Sequence, residues 1–309
     1  MSEKPKILIV SDVPGWAYDN VSSAIMKELQ RDFEFHKLYA QDLPVINHQP
    51  YDIVYVMYWG SDFLKRNFIP KNKLCLQVAS FWSWQEKYQI TVEQLVRDYL
   101  NYACAVSTNC PGLYDGISPL HPNVFLNPSG VDIEKFHPHP PRSTKNNKPF
   151  YVGWTGSTDT HGGNKGLYDI IEPVCQSLDN VHLTVVTKER HWLPHHEMPK
   201  FYRDIDVYVC ASKSEGTPNP VLEASASART VISTPVGIVP MLISDGQNGI
   251  LVRREQADIK AALVKLRDNR KLCADMGIRN RMVIEKDGWS WKFRALNYKK
   301  MFSDILNAD

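Results

Sequence analysis

The pattern that most constrains this chain is an alternation of short apolar runs with amphipathic helical segments. Lys6 to Ser11 (KILIVS) is rich in β-branched residues and leads through a turn into a helix predicted over 20–30. That helix is indicated by apolar residues at helical spacing, such as Val21, Ile25 and Leu29. Strands that are apolar on both faces and alternate with helices are typical of a parallel sheet. The predicted fold class is therefore α/β.

The alternation occurs twice, on either side of a proline-rich segment. Between His137 and Pro149 the chain carries four prolines in polar surroundings, which continue neither a strand nor a helix. We therefore predict a first domain over 1–136, a linker over 137–148 and a second domain over 149–292. The predicted strands are 6–11, 33–39, 52–58, 73–79, 103–107, 124–126, 150–153, 181–187, 206–210, 230–233 and 250–252. The predicted helices are 20–30, 91–102, 167–178, 198–203, 221–228, 256–267, 270–280 and 289 to the end.

Composition narrows the classes of function. The formal net charge of +2 argues against a dedicated nucleic-acid-binding protein, which usually has a strong basic surplus. No apolar run approaches the ~20 residues needed to cross a bilayer, and the first residues lack a signal-peptide pattern. The six cysteines form no CxxC pair, so we expect reduced, mostly buried thiols in a cytoplasmic protein.

The most informative segment is 214–224 (SEGTPNPVLEA), which follows an apolar strand and opens a helix. Asn219 is suited to the N-cap of that helix and Pro220 to its first position. Free backbone N–H groups at a helix start form an anion site, and here the site would suit a diphosphate.

Two glutamates flank this turn. Glu215 and Glu223 lie eight positions apart, which corresponds to about 12 Å in a helix, whereas retaining glycosidases hold their carboxyl groups about 5–5.5 Å apart. A hydrolytic pair is thus disfavoured. On spacing alone two interpretations stay open. The carboxylates either bind sugar hydroxyls on both sides of a diphosphate, or are a solvated loop acid and a residue that complements the helix dipole.

Glu215, seven residues and then Glu223, in a strand–turn–helix setting, resembles the signature of the retaining glycosyltransferase family 4. Other segments resemble the surroundings of that motif: Phe201–Val207, Thr234–Gly237, Asp245–Val252, Gly130–Asp132 with Phe136 and Pro138, and Trp289–Trp291. The resemblance implies the GT-B fold, two facing Rossmann-like domains with an interdomain cleft. It also implies a C-terminal helix, about 293–309, that packs back on the first domain.

The resemblance also implies roles for individual residues. Glu215 would contact the donor sugar and, with Lys165, which would neutralise diphosphate charge, make up the catalytic set. Glu223 would hold the nucleotide ribose. The remaining donor-binding positions are Gly216, Thr217, Pro218 and Asn219, whose backbone would cradle the diphosphate and sugar, together with Gly15 and Gly156.

The chain departs from the family pattern at several points. No arginine lies between Tyr151 and Lys165, and the segment 78–82 (VASFW) lacks the histidine that often follows the fourth strand. The first loop keeps only Gly15 of a glycine-rich pattern, and Met241 stands where a glutamate is common. These positions select the sugar and the acceptor, so specificity does not follow from the resemblance.

Metal binding is not indicated. Asp204 and Asp206 have the DxD spacing of metal-dependent transferases but precede a strand. His191 and His195 have i,i+4 spacing, but Pro194 breaks the helix that such a pair requires. No cofactor is expected besides a nucleotide-diphosphate sugar as co-substrate.

Aromatic residues are frequent in the first half of the chain, and most of them are expected to be core. Trp59, Trp82 and Trp84 follow strands rather than lie within them. Since strand ends form the rim of a parallel sheet, we predict exposed rings that bind a saccharide acceptor. Docking of these rings at a membrane surface is not indicated, because the nearby helices carry few lysines.

The sequence thus predicts a metal-independent retaining glycosyltransferase that acts by a front-face mechanism on a saccharide-type acceptor. Two alternatives stay open: a non-catalytic GT-B protein that binds a nucleotide or sugar, and a nucleotide-sugar epimerase that converts donor without acceptor.

Overall fold

A computed structural model describes residues 3–143, 145–158, 162–187, 189 and 193–308. The chain divides into two compact units. The first unit comprises Met1–Gly130 and Trp291–Asp309, and the second comprises Val131–Ser290. The first unit thus ends six residues before the predicted domain end at 136, and the segment predicted as linker, 137–148, groups with the second unit.

The described part of the first unit is built on a parallel sheet of six strands in the order β2-β1-β3-β4-β5-β6. The strands are β1 (Lys6–Ser11), β2 (Glu34–Tyr39), β3 (Ile53–Val56), β4 (Leu74–Val78), β5 (Ala105–Thr108) and β6 (Val124–Leu126). The helices are α1 (Ala17–Leu29), α2 (Phe63–Arg66), α3 (Val92–Asp98), α4 (Pro111–Ile117) and the last helix of the chain, α11 (Trp291–Leu306). The central strands β3, β4 and β5 are buried throughout, which agrees with their apolar character on both faces.

The last helix completes the core of the first unit. Phe302 of α11 is fully buried, and its ring centroid lies 5.7 Å from that of Phe33 and 5.8 Å from that of Tyr55. One turn earlier, the buried hydroxyl of Tyr298 donates a hydrogen bond of 3.0 Å to the carbonyl oxygen of Asn127. The helix therefore packs against α1 and the sheet within one core.

The described part of the second unit contains a parallel sheet of five strands in the order β11-β10-β9-β7-β8. The strands are β7 (Phe150–Gly156), β8 (Val181–Thr187), β9 (Val207–Cys210), β10 (Thr230–Ser233) and β11 (Ile250–Leu251). The helices are α5 (Glu172–Gln176), preceded by a π-helical turn at Leu167–Ile171, α6 (Met198–Arg203), α7 (Asn219–Ala226), α8 (Val239–Leu242), α9 (Gln256–Asp268) and α10 (Arg270–Lys286). The strand β7 is central and β8 lies at one edge.

The predicted α/β class is confirmed in both units, since every strand pair within the described sheets is parallel. The structure confirms the predicted bounds of several elements, among them the strands 181–187 and 230–233 and the helix 198–203. The short helices α2, α4 and α8, of four to seven residues each, were not predicted. None of the helices in the described ranges is long and apolar enough to cross a membrane.

The packing of α11 predicts that its apolar residues contribute unequally to the free energy of unfolding. Phe302→Ala removes a fully buried ring and should lower the free energy of unfolding of the first unit by about 3–5 kcal/mol. Phe293→Ala, on the same helix, should change it by less than about 0.5 kcal/mol, because that ring is 52% exposed. Chemical denaturation followed by near-ultraviolet circular dichroism measures both. Equal effects of the two substitutions would contradict the assignment of α11 to this core.

Candidate functional site

The turn between β9 and α7 holds Glu215 and leads into the helix that carries Glu223. The helix α7 begins at Asn219, with Pro218 at its N-cap, so the prediction that Asn219 caps the helix is wrong by one residue. Asn219 Oδ1 and Ser214 Oγ are buried and make no hydrogen bond within the described protein. Buried polar atoms are normally paired, so unpaired atoms at both ends of one turn are typical of a site that receives a ligand.

A close backbone contact fixes the position of this turn. The backbone N–H of Ile238 donates a hydrogen bond of 3.0 Å to the carbonyl oxygen of Gly216. Gly237 adopts φ +53°, and a Cβ atom there would lie 1.8 Å from that same oxygen. Only glycine satisfies both the left-handed conformation and the contact, so the segment Thr234–Gly237 acts as a backbone support for Gly216.

Within the second unit, the carboxylate of Glu215 forms an ion pair with the ammonium group of Lys165. Lys165 Nζ donates a hydrogen bond of 2.7 Å to Glu215 Oε1, and Ser212 Oγ donates one of 2.9 Å to the same oxygen. Both charged side chains are largely buried, with 22% of Lys165 and 17% of Glu215 exposed. Burial lowers the pKa of Lys165, but the charge and the hydrogen bond of Glu215 outweigh it and the pKa is raised. The lysine is therefore a cation at neutral pH.

The turn that carries Lys165, Gly162–Lys165, is fastened to the end of β9. The carbonyl oxygen of Asn164 accepts from the backbone N–H of Lys213 at 2.8 Å, and its side-chain amide donates to the carbonyl oxygen of Ser214 at 3.1 Å. Arg254 bridges the same two segments, since its guanidinium donates to the carbonyl oxygens of Ala211 at 2.9 Å and Gly163 at 2.6 Å. These bonds fix the distance between the lysine and the glutamate.

Two glycines allow this arrangement. Gly166, at φ +73°, packs so closely that a Cβ atom would lie 2.6 Å from the carbonyl oxygen of Ala211. Gly156, at the end of β7, faces the stem of Lys165, where a Cβ atom would lie 3.0 Å from Lys165 Cδ. Gly156, predicted to bind the donor, therefore lies beside the lysine in the second unit.

Glu223, on α7, is held by two side chains that the sequence analysis did not assign to it. His195 Nε2 lies 2.9 Å from Glu223 Oε1, and the Tyr202 hydroxyl donates a bond of 2.8 Å to Glu223 Oε2. Lys135 Nζ lies 2.9 Å from the other ring nitrogen of His195, Nδ1. Since an ammonium only donates, Nδ1 accepts and the proton of the neutral ring is on Nε2, directed at the carboxylate.

Aromatic packing supports this carboxylate cluster. The ring of Phe136 lies 5.4 Å from that of His195 and 5.8 Å from that of Tyr202, centroid to centroid. Burial, and then the charge of Glu223, raise the pKa of Tyr202 well above its ordinary value, so its hydroxyl stays a donor. Phe136 and Tyr202 belong to segments that resemble the family, yet nothing in the sequence indicated that they meet at Glu223.

The two aspartates with DxD spacing lie in separate clusters. Asp206 is buried, lies 3.2 Å from the guanidinium of Arg270 and accepts from the backbone N–H of Tyr151 at 2.8 Å. Asp204 pairs with Arg203. His195 is bonded to Glu223, and His191 lies outside the described residues. The carboxylate of Asp206 is thus used to hold β7 and α10.

The predicted residues of the first unit are less accessible than expected. Trp59 and Trp84 are only 2% and 6% exposed, so the expectation that their rings line an open surface is wrong. Trp59 packs on Tyr88 and Tyr99, at centroid distances of 5.2 Å and 4.8 Å, because the chain after β4 folds back over the strand ends.

Two other predicted residues of the first unit are more accessible. Trp82 is half-buried. Gly15 is exposed, and its backbone N–H donates to Asp19 Oδ2 at 2.7 Å.

The Lys165–Glu215 pair predicts a measurable contribution to stability. Lys165→Met leaves a largely buried carboxylate without its cation and should lower the free energy of unfolding by about 1–3 kcal/mol. The pKa of Lys165 is raised, so this contribution is fully present below the ordinary lysine pKa of about 10.4 and is lost only at higher pH. Lys213→Met, at an exposed lysine next to the motif, is the matched control and should have almost no effect. Equal losses in the two variants, measured by urea denaturation at neutral pH, would contradict the role of the pair.

The sequence of the second unit matches a known family. Residues 150–269 fit the pattern of the family described as Glycosyl transferases group 1. This range contains the strands and helices β7 to α9, including Lys165, Glu215 and Glu223, but neither Lys135 nor any of the first unit.

Curated relatives match over about a third of the chain. An uncharacterized glycosyltransferase of Methanocaldococcus jannaschii is 29% identical over 104 residues, which cover 33% of this chain and 26% of that protein. A D-inositol 3-phosphate glycosyltransferase of Nocardia farcinica is 32% identical over 114 residues, 37% of this chain and 25% of that protein. The chain therefore spans about a quarter of the length of the curated relatives that it matches.

Solved structures match over the whole chain at low identity. Sucrose-phosphate synthase of Thermosynechococcus elongatus superposes with a TM-score of 0.71 at 15% identity, covering 99% of this chain and 100% of that one. Anabaena HepE, solved with UDP and glucose, gives 0.68 at 14% identity, with coverage of 99% and 100%. These likenesses show the GT-B fold, and the sequence match to the glycosyl transferases group 1 covers residues 150–269.

Proposed function

We propose that this chain is a retaining glycosyltransferase that moves a sugar from a nucleotide-diphosphate-sugar donor to a saccharide-type acceptor without a metal ion. The observation that carries the proposal is the pair of largely buried, hydrogen-bonded carboxylates of the β9–α7 turn and α7, one beside a lysine and one beside a histidine and a tyrosine. The family match over this same part of the chain supports it.

Glu223 is proposed to bind the ribose of the nucleotide. A carboxylate accepts up to about four hydrogen bonds, and His195 and Tyr202 use one position on each oxygen. The remaining positions suit two neighbouring hydroxyls. Because His195 and Tyr202 already orient the carboxylate, binding a diol costs little further side-chain entropy.

The diphosphate is proposed to bind between Lys165 and the start of α7. The unpaired Ser214 Oγ borders this turn and can donate to a phosphate oxygen, and the first N–H groups of the helix favour an anion. During transfer the bond between the anomeric carbon and the diphosphate oxygen breaks, and negative charge grows on the leaving phosphate. Lys165 would stabilise that charge, while Glu215 orients the sugar.

In a front-face reaction, the acceptor oxygen bonds to the anomeric carbon on the side that the diphosphate leaves. The acceptor proton passes to the leaving phosphate oxygen, so no protein nucleophile is needed. The residues then act by positioning and by electrostatic stabilisation.

The acceptor is proposed to bind at the strand ends of the first unit, as the sequence analysis predicted, with Trp82 as the ring available for stacking on a sugar. Trp59 and Trp84 are buried and take no direct part in the proposed contact.

The direct test measures donor binding and donor turnover separately. A panel of nucleotide sugars is screened by thermal shift, since a ligand that binds the native state raises the apparent melting temperature. The donor that binds is then incubated with saccharide acceptors, with and without a chelator. Transfer that persists in chelator and yields a product of unchanged anomeric configuration is expected. Binding without turnover would favour the non-catalytic alternative, and conversion without acceptor would favour an epimerase.

Substitutions of the two glutamates should affect different quantities: nucleotide affinity for Glu223 and kcat for Glu215. Glu223→Gln should weaken binding of the free nucleotide diphosphate, because the carboxylate contacts the ribose. Glu215→Gln should lower kcat by about 10²-fold or more while nucleotide affinity changes little, because this carboxylate contacts the sugar. Isothermal titration and initial rates at saturating donor measure the two quantities. The opposite split between the two variants would reverse the assignments.

His195 should act as a positioning residue through its Nε2–H group. His195→Ala removes a hydrogen bond to a charged acceptor and should weaken nucleotide binding about tenfold. His195→Gln, whose amide can donate from a similar position, should recover most of the affinity. His196→Ala is the matched control, because that side chain is 77% exposed. Equal affinities of the alanine and glutamine variants would show that the Nε2–H donor has no part in binding.

A further inference from the structure

One contact of the carboxylate cluster comes from a residue outside the range that matches the family. Lys135 precedes that range, which begins at residue 150, yet its Nζ atom lies 2.9 Å from Nδ1 of His195. The other ring nitrogen of His195, Nε2, lies 2.9 Å from Oε1 of Glu223. The imidazole ring therefore lies between an ammonium group and a carboxylate, with one ring nitrogen directed at each.

The backbone that carries Lys135 forms a defined turn. The backbone N–H of Lys135 donates to Oδ1 of Asp132 at 3.0 Å, and that of Phe136 donates to the carbonyl oxygen of Asp132 at 2.9 Å. Aspartate commonly stabilises a turn in this way, by bonding the backbone that follows it. The turn therefore fixes the point from which the lysine side chain extends toward His195.

The same turn is bonded to the helix that carries Glu223. Nη1 of Arg281 donates to the carbonyl oxygen of Phe136 at 2.7 Å and to that of Ala226 at 2.8 Å. Ala226 is the last residue of α7. One guanidinium group thus holds the lysine segment and the glutamate helix together through their backbones, independently of His195.

The ring of Phe136 packs against both partners of this contact. Lys135 Nζ lies 5.6 Å from the centroid of the ring, and the centroid of the His195 ring lies 5.4 Å from it. An ammonium group at this distance from an aromatic ring is attracted to it. Because Phe136 is buried, it gives the lysine and the histidine a fixed surface on which to pack.

The ammonium group decides which role each ring nitrogen of His195 takes. A neutral imidazole has one donor and one acceptor, and Glu223 alone requires only that some N–H group faces it. An ammonium group has donors and no acceptor. With Lys135 at Nδ1, both neighbours receive a favourable hydrogen bond only when the proton is on Nε2. The bond accepted at Nδ1 also polarises the ring and strengthens Nε2–H as a donor, as in other chains of hydrogen bonds.

We propose that Lys135 is a positioning residue that orients the carboxylate of Glu223 through His195. That this orientation serves nucleotide binding rests on the proposed function, whereas the arrangement of the three side chains does not. The proposal extends the donor site to the segment 131–136, which precedes the range matched by the family.

The first test reads the ring nitrogens of His195 directly and needs no ligand. Nitrogen NMR of protein with isotope-labelled histidine, at neutral pH, distinguishes a protonated ring nitrogen from an acceptor that is hydrogen-bonded and from one that is not. His195→Gln identifies the resonances of His195 by their loss. In the wild type we expect a protonated Nε2 and a hydrogen-bonded Nδ1. Lys135→Met should move the Nδ1 resonance to that of an acceptor without a hydrogen bond.

The second test asks whether Lys135 acts through His195. ADP, GDP, UDP and CDP are titrated separately into the wild type, and the one that binds is used for the variants. Lys135→Met should weaken its binding by about threefold to tenfold, the effect of one hydrogen bond. In the His195→Ala background the same substitution should have almost no further effect, because two residues of one network are not additive.

Lys200→Met is the matched control. It removes an exposed lysine from α6 in the same unit, and both the Nδ1 resonance and the affinity should stay unchanged. Near-ultraviolet circular dichroism verifies that every variant is folded.

Two results would overturn the proposal. The first is an unchanged Nδ1 resonance in Lys135→Met, which would show that no hydrogen bond joins Lys135 to His195. The second is an equal loss of affinity from Lys135→Met with and without His195, which would mean that the lysine acts on the nucleotide directly. If the wild type bound none of the four nucleotides, the proposed function would fail, and the Nδ1 resonance would still decide the role of Lys135 toward His195.

Discussion

The contact between Gly216 and the segment that ends at Gly237 is the constraint on which the candidate site depends. The carbonyl oxygen of Gly216 accepts a hydrogen bond from the backbone N–H of Ile238. The same oxygen leaves no space for a side chain at Gly237. Both partners of this contact are backbone groups. They cannot move apart by a change of rotamer, as two side chains could. The direction in which the chain enters α7, and hence the placing of both glutamates, follows from it.

Each glutamate of the site accepts hydrogen bonds from residues that are distant in the sequence. The donor to Glu215 is Lys165, fifty positions away, and a donor to Glu223 is His195, twenty-eight positions away. A charged group that is already oriented needs little reorganisation when a polar ligand arrives, and this is how preorganised sites stabilise developing charge. The same pairing makes the carboxylates tolerable in a largely buried position, since an unpaired buried charge is costly.

The sequence predicted what depends on local patterns and missed what depends on long-range packing. The runs of β-branched residues at 181–187 and 230–233 were sufficient for strands of the correct bounds, and the Glu215–Glu223 spacing placed both residues on one turn and helix. No local pattern indicated that Lys135 meets His195, or that Arg254 bridges Gly163 and Ala211. The burial of Trp59 was missed for the same reason. A residue after a strand is at the rim only if the following chain does not fold back over it.

The position of α11 has a consequence for the order of events during synthesis. Domains commonly fold from the N-terminal end as the chain emerges from the ribosome. Here the first unit includes Met1–Gly130 and Trp291–Asp309, so its core stays open until the residues around Phe302 have been translated. The second unit, which is continuous in sequence, can reach its native state earlier. The apolar face of the N-terminal strands therefore stays uncovered until α11 has been synthesised. We expect nascent chains that stall before α11 to be substrates for chaperones.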